Sequence, residues 1–252
     1  MKKEILKKIA KLEKEYGIKV LLAVESGSRE WGFASNDSDY DVRCVHVSPI
    51  DMYLSLDGAP EQAEIIKDDI DIVSWDVRKF FALFMKSNPT VSEWLSSREV
   101  YIDKGFGKMK QKELRKLFSS GFNRGTLIRH YISLAKQNYK KYIDTTGQVL
   151  LKKYVYILRG LGCVEYIKRT DSLPPLDWKD SSKYLPLEIR KQFARLVALK
   201  QGSEENRSAR NEALDRWIEI QFAQTIKEDK IGFDRTVIDG IVIAAINKQI
   251  HS

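Results

Sequence analysis

Two acids one residue apart, Asp39 and Asp41 in Ser38-Asp39-Tyr40-Asp41-Val42, are the residues of this 252-residue chain whose types and spacing most directly suggest chemistry. Alternate side chains of a strand face one side, so the two carboxylates would project together. They repel unless positive charge lies between them. Two Mg²⁺ ions about 3.5–4 Å apart are the usual solution, and such a pair serves in-line displacement at phosphorus. A third acid, Asp71, sits in the apolar run Ile70-Asp71-Ile72-Val73. A lone charge there is costly, and a carboxylate so placed usually has a cation for company. If that strand lies beside the first, three acids converge. Asp69, two residues earlier on the same face, is the reserve for third place, although it also suits a hairpin turn. Upstream, Gly27-Ser28 stands where a strand delivers the chain to a helix start. Glycine lets backbone approach a phosphate closely, and helix-start amides with a hydroxyl make an anion site. Each piece also has a plainer reading: a turn for Gly-Ser, and turn and strand-edge positions for the two acids.

The elements that must position these residues follow from periodicity. Ile5, Ile9, Leu12 and Tyr16 at helical spacing predict an amphipathic helix over 2–16, closed by Gly17. Ile18–Val24 reads as a buried strand, Glu25–Ser28 as a turn, and Arg29–Phe33 as the beginning of a short helix. Asn36-Asp37-Ser38 is turn-forming, and Tyr40–Val47 is a strand ending before Pro49. Stretches 62–67 and 70–75 around Asp68-Asp69 predict a hairpin. Asp76 is placed to cap a helix bearing Val77, Phe80, Phe81, Phe84 and Met85, which stops before Asn88-Pro89. From about residue 106 helical periodicity dominates: 108–118, 122–143, 148–169, 187–200, 207–229 and about 234–250. The breaks fall at Gly121, Thr146-Gly147, Leu173-Pro174-Pro175 and Gln201-Gly202. A mixed α+β domain over 1–105 followed by an all-helical domain over 106–252 is the expected organisation.

In the helical part Lys152, Tyr156 and Arg159 fall at i, i+4 and i+7 and share a face that could grip phosphates and stack a base; a solvated stripe is the plainer alternative. Lys153 lies about 100° away. His46 and His130 have no second ligand at metal spacing and read as structural. Trp75, Trp94, Trp178 and Trp217 read as core or interface aromatics, whereas Trp31, beside the Gly-Ser turn, is the tryptophan expected to touch a substrate.

Composition excludes fibrous and disordered classes: 43% of residues are hydrophobic and 31% charged. No apolar run reaches the roughly 20 residues of a membrane span. The charged opening MKKEILKKIAKLEKEYG lacks a signal-peptide core. Two cysteines, Cys44 and Cys163, are too few for a disulfide framework. A soluble, cytoplasmic protein is expected. Lys and Arg number 43 against 35 Asp and Glu, a net +8, which permits a polyanionic partner without requiring one.

Gly-Ser, Asp-x-Asp and a third strand Asp together resemble the DNA polymerase beta-like nucleotidyltransferase superfamily. Gly27-Ser28-Arg29, Trp31-Gly32-Phe33, Ser35 and Ser38-Asp39-Tyr40-Asp41-Val42-Arg43 resemble its RlaP (RNA-repair-pathway polymerase-beta) family. So do Asp71 to Trp75-Asp76, Arg78-Lys79, Ser87-Asn88-Pro89, Glu93-Trp94-Leu95, Lys152-Lys153-Tyr154, Tyr156, Leu158-Arg159 and Leu173-Pro174-Pro175. The likeness spans roughly residues 20–180. It implies a small mixed β-sheet flanked by helices, then a helical domain that closes a nucleotide cleft. It further implies that Asp39, Asp41 and Asp71 are catalytic and hold two Mg²⁺ (or Mn²⁺) ions, with Asp71 helping to deprotonate the attacking hydroxyl. Gly27, Ser28, Arg29, Lys152, Tyr156 and Arg159 would bind a nucleoside triphosphate. Arg29 and Arg43 are near enough in sequence to neutralise phosphates, or to form ordinary salt bridges. The implied reaction joins a nucleoside monophosphate to an acceptor hydroxyl, that of an RNA end, and releases pyrophosphate. Transfer to a protein or small molecule, or a non-catalytic nucleic-acid-binding module on the same fold, are the rival readings.

Overall fold

The computed structural model describes residues 1–67, 69–143, 148–202, 207–227 and 231–248. In chain order the elements are α1 (Lys2–Tyr16), β1 (Lys19–Ser26), α2 (Gly27–Glu30), β2 (Tyr40–Val47), α3 (Ile50–Leu54), β3 (Gln62–Lys67), β4 (Ile70–Asp76), α4 (Val77–Met85), α5 (Pro89–Ser96), β5 (Val100–Asp103) and α6 (Gln111–Gly121). There follow α7 (Arg124–Tyr142), β6 (Val149–Leu150), α8 (Leu151–Thr170), α9 (Trp178–Ser181), α10 (Leu187–Gly202), β7 (Arg207–Ser208), α11 (Glu212–Phe222) and α12 (Arg235–Asn247). Asp68, Thr146-Gly147 and the end of the expected last helix lie outside the described residues.

Two compact units result. One comprises Met1–Glu30, Asp39–Phe122 and Ile231–Ser252, and the other Trp31–Ser38 and Asn123–Lys230. The change from sheet to helices thus falls at Phe122/Asn123 instead of 105/106, because α6 packs with α5. Two segments cross that simple cut: 31–38 joins the helical unit, and the last helix joins the sheet unit.

In the sheet unit five strands run in the order β3-β4-β2-β1-β5. β2 and β4 are parallel and the other pairs antiparallel, so the sheet is mixed. Ile5, Ile9 and Leu12 of α1 are buried against Val20, Ala23, Val42, Cys44, Ile70 and Ile72. Tyr16, expected on that apolar face, is 37% exposed and instead donates its hydroxyl to Glu64 O at 3.3 Å. β1 continues through Glu25-Ser26, read from sequence as a turn, because these residues pair with Val42 and Asp41. Asp76 caps α4 as expected, its carboxylate accepting from Arg78 N. Asn88 both ends that helix and caps α5, accepting from Thr90 N. Phe233 packs against Phe84 and Phe118, with ring centroids 4.7 and 5.6 Å away, and so helps hold α12 to this unit. A Cβ on Gly107 would lie 2.9 Å from the Ala244 methyl, so α12 also seats closely here.

His46, fully buried in β2, keeps Nδ1 2.7 Å from Ser74 Oγ, while no partner among the described residues reaches Nε2. Burial lowers its pKa from 6.5 to about 4. Between those pH values the unfolded chain binds the proton and the folded one does not, so stability rises with pH across the window. Acidification from pH 6.5 to 4 should therefore cost about 3 kcal/mol through this residue alone. His46→Asn, which keeps an acceptor for Ser74 but cannot titrate, should flatten that part of the urea-midpoint-versus-pH curve.

The helical unit is built around α8, whose Tyr154, Val155, Ile157, Leu158 and Leu161 are buried with Phe193, Leu214 and Ile218. Tyr154 donates to Asp215 at 2.6 Å, and Arg210 Nε donates to the same carboxylate at 2.9 Å, so this buried acid is paired. Both cysteines are buried, and neither forms a disulfide. Among the described residues no helix is long and apolar enough to cross a membrane.

Candidate active site

β2 and β4 run parallel with Asp41 directly opposite Asp71. Alternation sends Val42, Cys44, Ile70 and Ile72 to the α1 side, so Asp41, Arg43 and Asp71 share the other face. Arg43 Nη2 donates to Asp41 Oδ1 at 2.7 Å and to Asp71 Oδ2 at 2.9 Å, and its Nη1 donates to Asp71 O at 3.1 Å. The cation expected beside the strand acid is thus an arginine supplied by the same strand as Asp41. The other oxygen of Asp71, Oδ1, is buried and meets no hydrogen-bond donor among the described residues. The two carboxyl side chains retain 30% and 26% exposure, so this is a solvent-accessible, charged face.

Gly27 explains the shape of this face. Its φ is +66°, and a Cβ built there would fall 2.0 Å from Asp41 Oδ2. The glycine creates the space that the Asp41 carboxylate fills. Ser28 follows, 5% exposed, in the single turn α2. Arg29 stacks over the Tyr40 ring at 3.8 Å and donates Nε–H to Asp39 O at 3.1 Å, fixing the backbone just before β2. Asp39 is exposed ahead of the strand. Asp69 is in the hairpin turn, its carbonyl accepting from Tyr40 N at 2.8 Å. The structure therefore brings Asp41 and Asp71 together through Arg43. Among the described residues no group of three acidic, His or Cys side chains is gathered closely enough to hold a metal ion.

Sequence reasoning passed over Glu25, which it read as a turn. Glu25 is 4% exposed, its Oε1 accepts from Asp41 N at 3.0 Å, and its other oxygen accepts from the Tyr101 hydroxyl. Burial raises its pKa above the usual carboxylate range and Asp41 adds to that, against the lowering effect of the two hydrogen bonds. The signal was an acid directly adjoining an apolar run, close to the one that singled out Asp71 within its own.

The helical unit gathers the aromatic candidates. Arg159, 5% exposed, has its guanidinium carbon 4.0 Å from the Trp31 ring centroid, and Tyr156 meets Trp31 edge-on at 5.9 Å. Tyr156 and Arg159 share a face as predicted, and Trp31 joins it. Lys152 is half-buried near the start of α8. Lys153, placed off that face by helical geometry, has its ammonium 5.5 Å from the Tyr156 ring and 4.0 Å from that of Tyr142.

The second residue that sequence reasoning missed is Lys200, with no exposure at all. Its ammonium donates to Phe33 O at 3.0 Å and Ser38 Oγ at 3.2 Å. Ser38 Oγ also accepts from Ser35 N at 2.9 Å. A buried cation therefore ties down the loop that leads into Asp39. Lys200→Ala should cost about 3 kcal/mol from the cavity and the abandoned acceptors. It should also speed amide hydrogen exchange across Phe33–Ser38, whereas an unchanged denaturation midpoint would show that the ammonium carries no such load.

The model of RlaP, the RNA repair pathway DNA polymerase beta family, matches residues 1–237. A Bacillus subtilis (strain 168) protein described as "Uncharacterized protein YcgL" is 37% identical over 235 residues, covering 91% of this chain and 88% of its own. Among solved structures, a nucleotidyltransferase-like protein from Exiguobacterium sibiricum 255-15 aligns over 96% of this chain and 76% of that one, at 10% identity and a TM-score of 0.30. The chain belongs to the RNA repair pathway DNA polymerase beta family, RlaP, and its function is of the nucleotidyltransferase type.

Proposed function

We propose that the chain is a metal-dependent nucleotidyltransferase that joins a nucleoside monophosphate from a nucleoside triphosphate to the hydroxyl of an RNA end. The observation that carries this reading is the pairing of Asp41 with Asp71 on adjacent parallel strands, with a buried Asp71 oxygen left without a donor among the described residues. Oxygen ligands of this kind suit a hard divalent cation such as Mg²⁺ or Mn²⁺. Asp41 and Asp71 would hold it, with exposed Asp39 as the further ligand. Bound metal would supply the charge that offsets the triphosphate and the developing negative charge at phosphorus.

The chain's own residues do the remainder. Asp71 takes the proton of the acceptor hydroxyl. The acceptor oxygen bonds to the innermost phosphorus as the bond from that phosphorus to its bridging oxygen breaks, and pyrophosphate leaves with the electron pair. Gly27, which lies beside Asp41, and the Ser28 that follows it are the assigned triphosphate contacts. Arg29 and Arg43 supply positive charge at the same end of the sheet. In the helical unit Lys152, Tyr156 and Arg159 are the assigned nucleotide contacts, Tyr156 and Arg159 being packed with Trp31.

The test is incubation of the purified chain with Mg²⁺, nucleoside triphosphates labelled on the innermost phosphate, and mixed RNA. Label should appear in RNA with one pyrophosphate released per transfer. Label on protein or small molecules would replace the RNA acceptor, and no release of pyrophosphate with any acceptor would overturn the catalytic reading.

A further inference from the structure

We infer that the solvent face of α6 is a docking surface for the phosphate backbone of RNA, built into the sheet unit. This deepens the RNA-acceptor reading and rests on it. Lys112, Arg115, Lys116, Ser119 and Ser120 fall at i, i+3, i+4, i+7 and i+8, and so lie on one side of the helix. All five are exposed, while Leu114, Phe118 and Gly121 point the other way into the core. Together they line a shallow depression of about 450 Å³. Among the described residues no carboxylate pairs with Lys112, Arg115 or Lys116. Glu113, the one acid on the helix, has its carboxylate engaged at the helix start, where it accepts the Lys110 N–H at 3.1 Å.

Three cations and two hydroxyls without an acid fit a ligand that offers regularly spaced anionic oxygens. From Lys112 to Ser120 the face is about 12 Å long, the length of about three successive phosphates on one strand. Guanidinium, ammonium and hydroxyl groups are the donors that hold phosphates without reading bases. The face is also held firmly relative to Asp41. Gln111, the first residue of α6, donates its amide to Trp94 O at 2.9 Å and Ser97 O at 3.1 Å. Ser97 Oγ donates to Glu25 O at 2.9 Å, and the Glu25 carboxylate accepts from Asp41 N. A strand gripped by α6 is thereby registered against the acid pair through a short chain of hydrogen bonds.

The experiment is a salt titration of binding between the full chain and a fluorescent single-stranded RNA of about 12 nucleotides, comparing wild type with K112Q/R115Q/K116Q. Glutamine keeps helix propensity at exposed positions, and circular dichroism checks the fold. Loss of three phosphate contacts should reduce the slope of log K against log salt by about 2, and weaken binding about tenfold or more in low salt. The charge-preserving K112R/R115K/K116R variant should keep the wild-type slope. An unchanged slope in the glutamine variant overturns the inference, as does equal displacement of RNA by a polyglutamate peptide of the same charge. The readout is binding, so the two readings fail separately. A wild type that transfers no label to RNA but shows the slope change keeps the docking surface. One that labels RNA with slope and RNA KM unaffected by the glutamine changes loses it.

Discussion

Asp41→Asn should reduce nucleotidyl transfer by at least about a thousandfold while leaving the chain folded. The asparagine amide fills the same space beside Gly27, so no cavity forms. What disappears is one of two negative charges facing each other across the β2–β4 pair, and with it the metal ligand proposed at this position. Losing one donor of transition-state charge stabilisation commonly costs 10²–10³ in rate (~3–4 kcal/mol), and loss of a metal ligand adds to that. The cost to stability should be small. Arg43 keeps its bonds to Asp71, and a partly exposed ion pair contributes roughly 1 kcal/mol or less. Single-turnover assays in Mg²⁺, with urea denaturation in parallel, separate the two effects. Transfer within tenfold of wild type would remove Asp41 from the chemistry. A large fall in the urea midpoint would mean that the acid mainly holds the sheet together.

Gly27→Ala should be nearly as damaging to transfer, and damaging to the fold as well. A methyl group at φ +66° is already disfavoured by roughly 1 kcal/mol, and here it would overlap Asp41 Oδ2. Something must move, and Asp41 is a side chain whereas Gly27 is fixed as the first residue of α2, directly after β1. The carboxylate therefore rotates away from its bond with Arg43. Activity should fall about a hundredfold or more, and the urea midpoint should fall by an amount worth about 2–3 kcal/mol. G27A/D41G, which removes the clashing carboxylate, should recover the stability lost to the overlap, leaving only the roughly 1 kcal/mol of backbone strain, and none of the activity. Failure of that double variant to recover stability would place the damage in the turn itself, not in the contact with Asp41.

Much of this was legible in the chain. The spacing of Ile5, Ile9 and Leu12 fixed α1, the alternation over Tyr40–Val47 gave β2 to the residue, and Asp76 was recognisable as a cap. What could not be read was anything decided by a partner distant in sequence. Glu25-Ser26 has the composition of a turn and becomes strand because β2 supplies ladder partners. β5 is a four-residue edge strand with too few alternations to register. Lys200 looks like a solvated lysine at a helix end until the loop at Phe33–Ser38 folds over it. In the candidate site the acids were visible as types, but their companion was not. Arg43 is two residues from Asp41 and could have faced anywhere; only the parallel register with Asp71 gives one guanidinium two carboxylates to bridge.

The return of α12 to the sheet unit carries a consequence for biosynthesis. Phe84 and Phe118 emerge from the ribosome well before Phe233, the ring that covers them, and the whole intervening helical segment must be made first. A nascent chain halted ahead of that point displays bare aromatic surface of the sort chaperones and proteases recognise. Premature termination is therefore policed by the architecture, and abundance in the cell should respond sharply to nonsense changes placed even a short way upstream of residue 233.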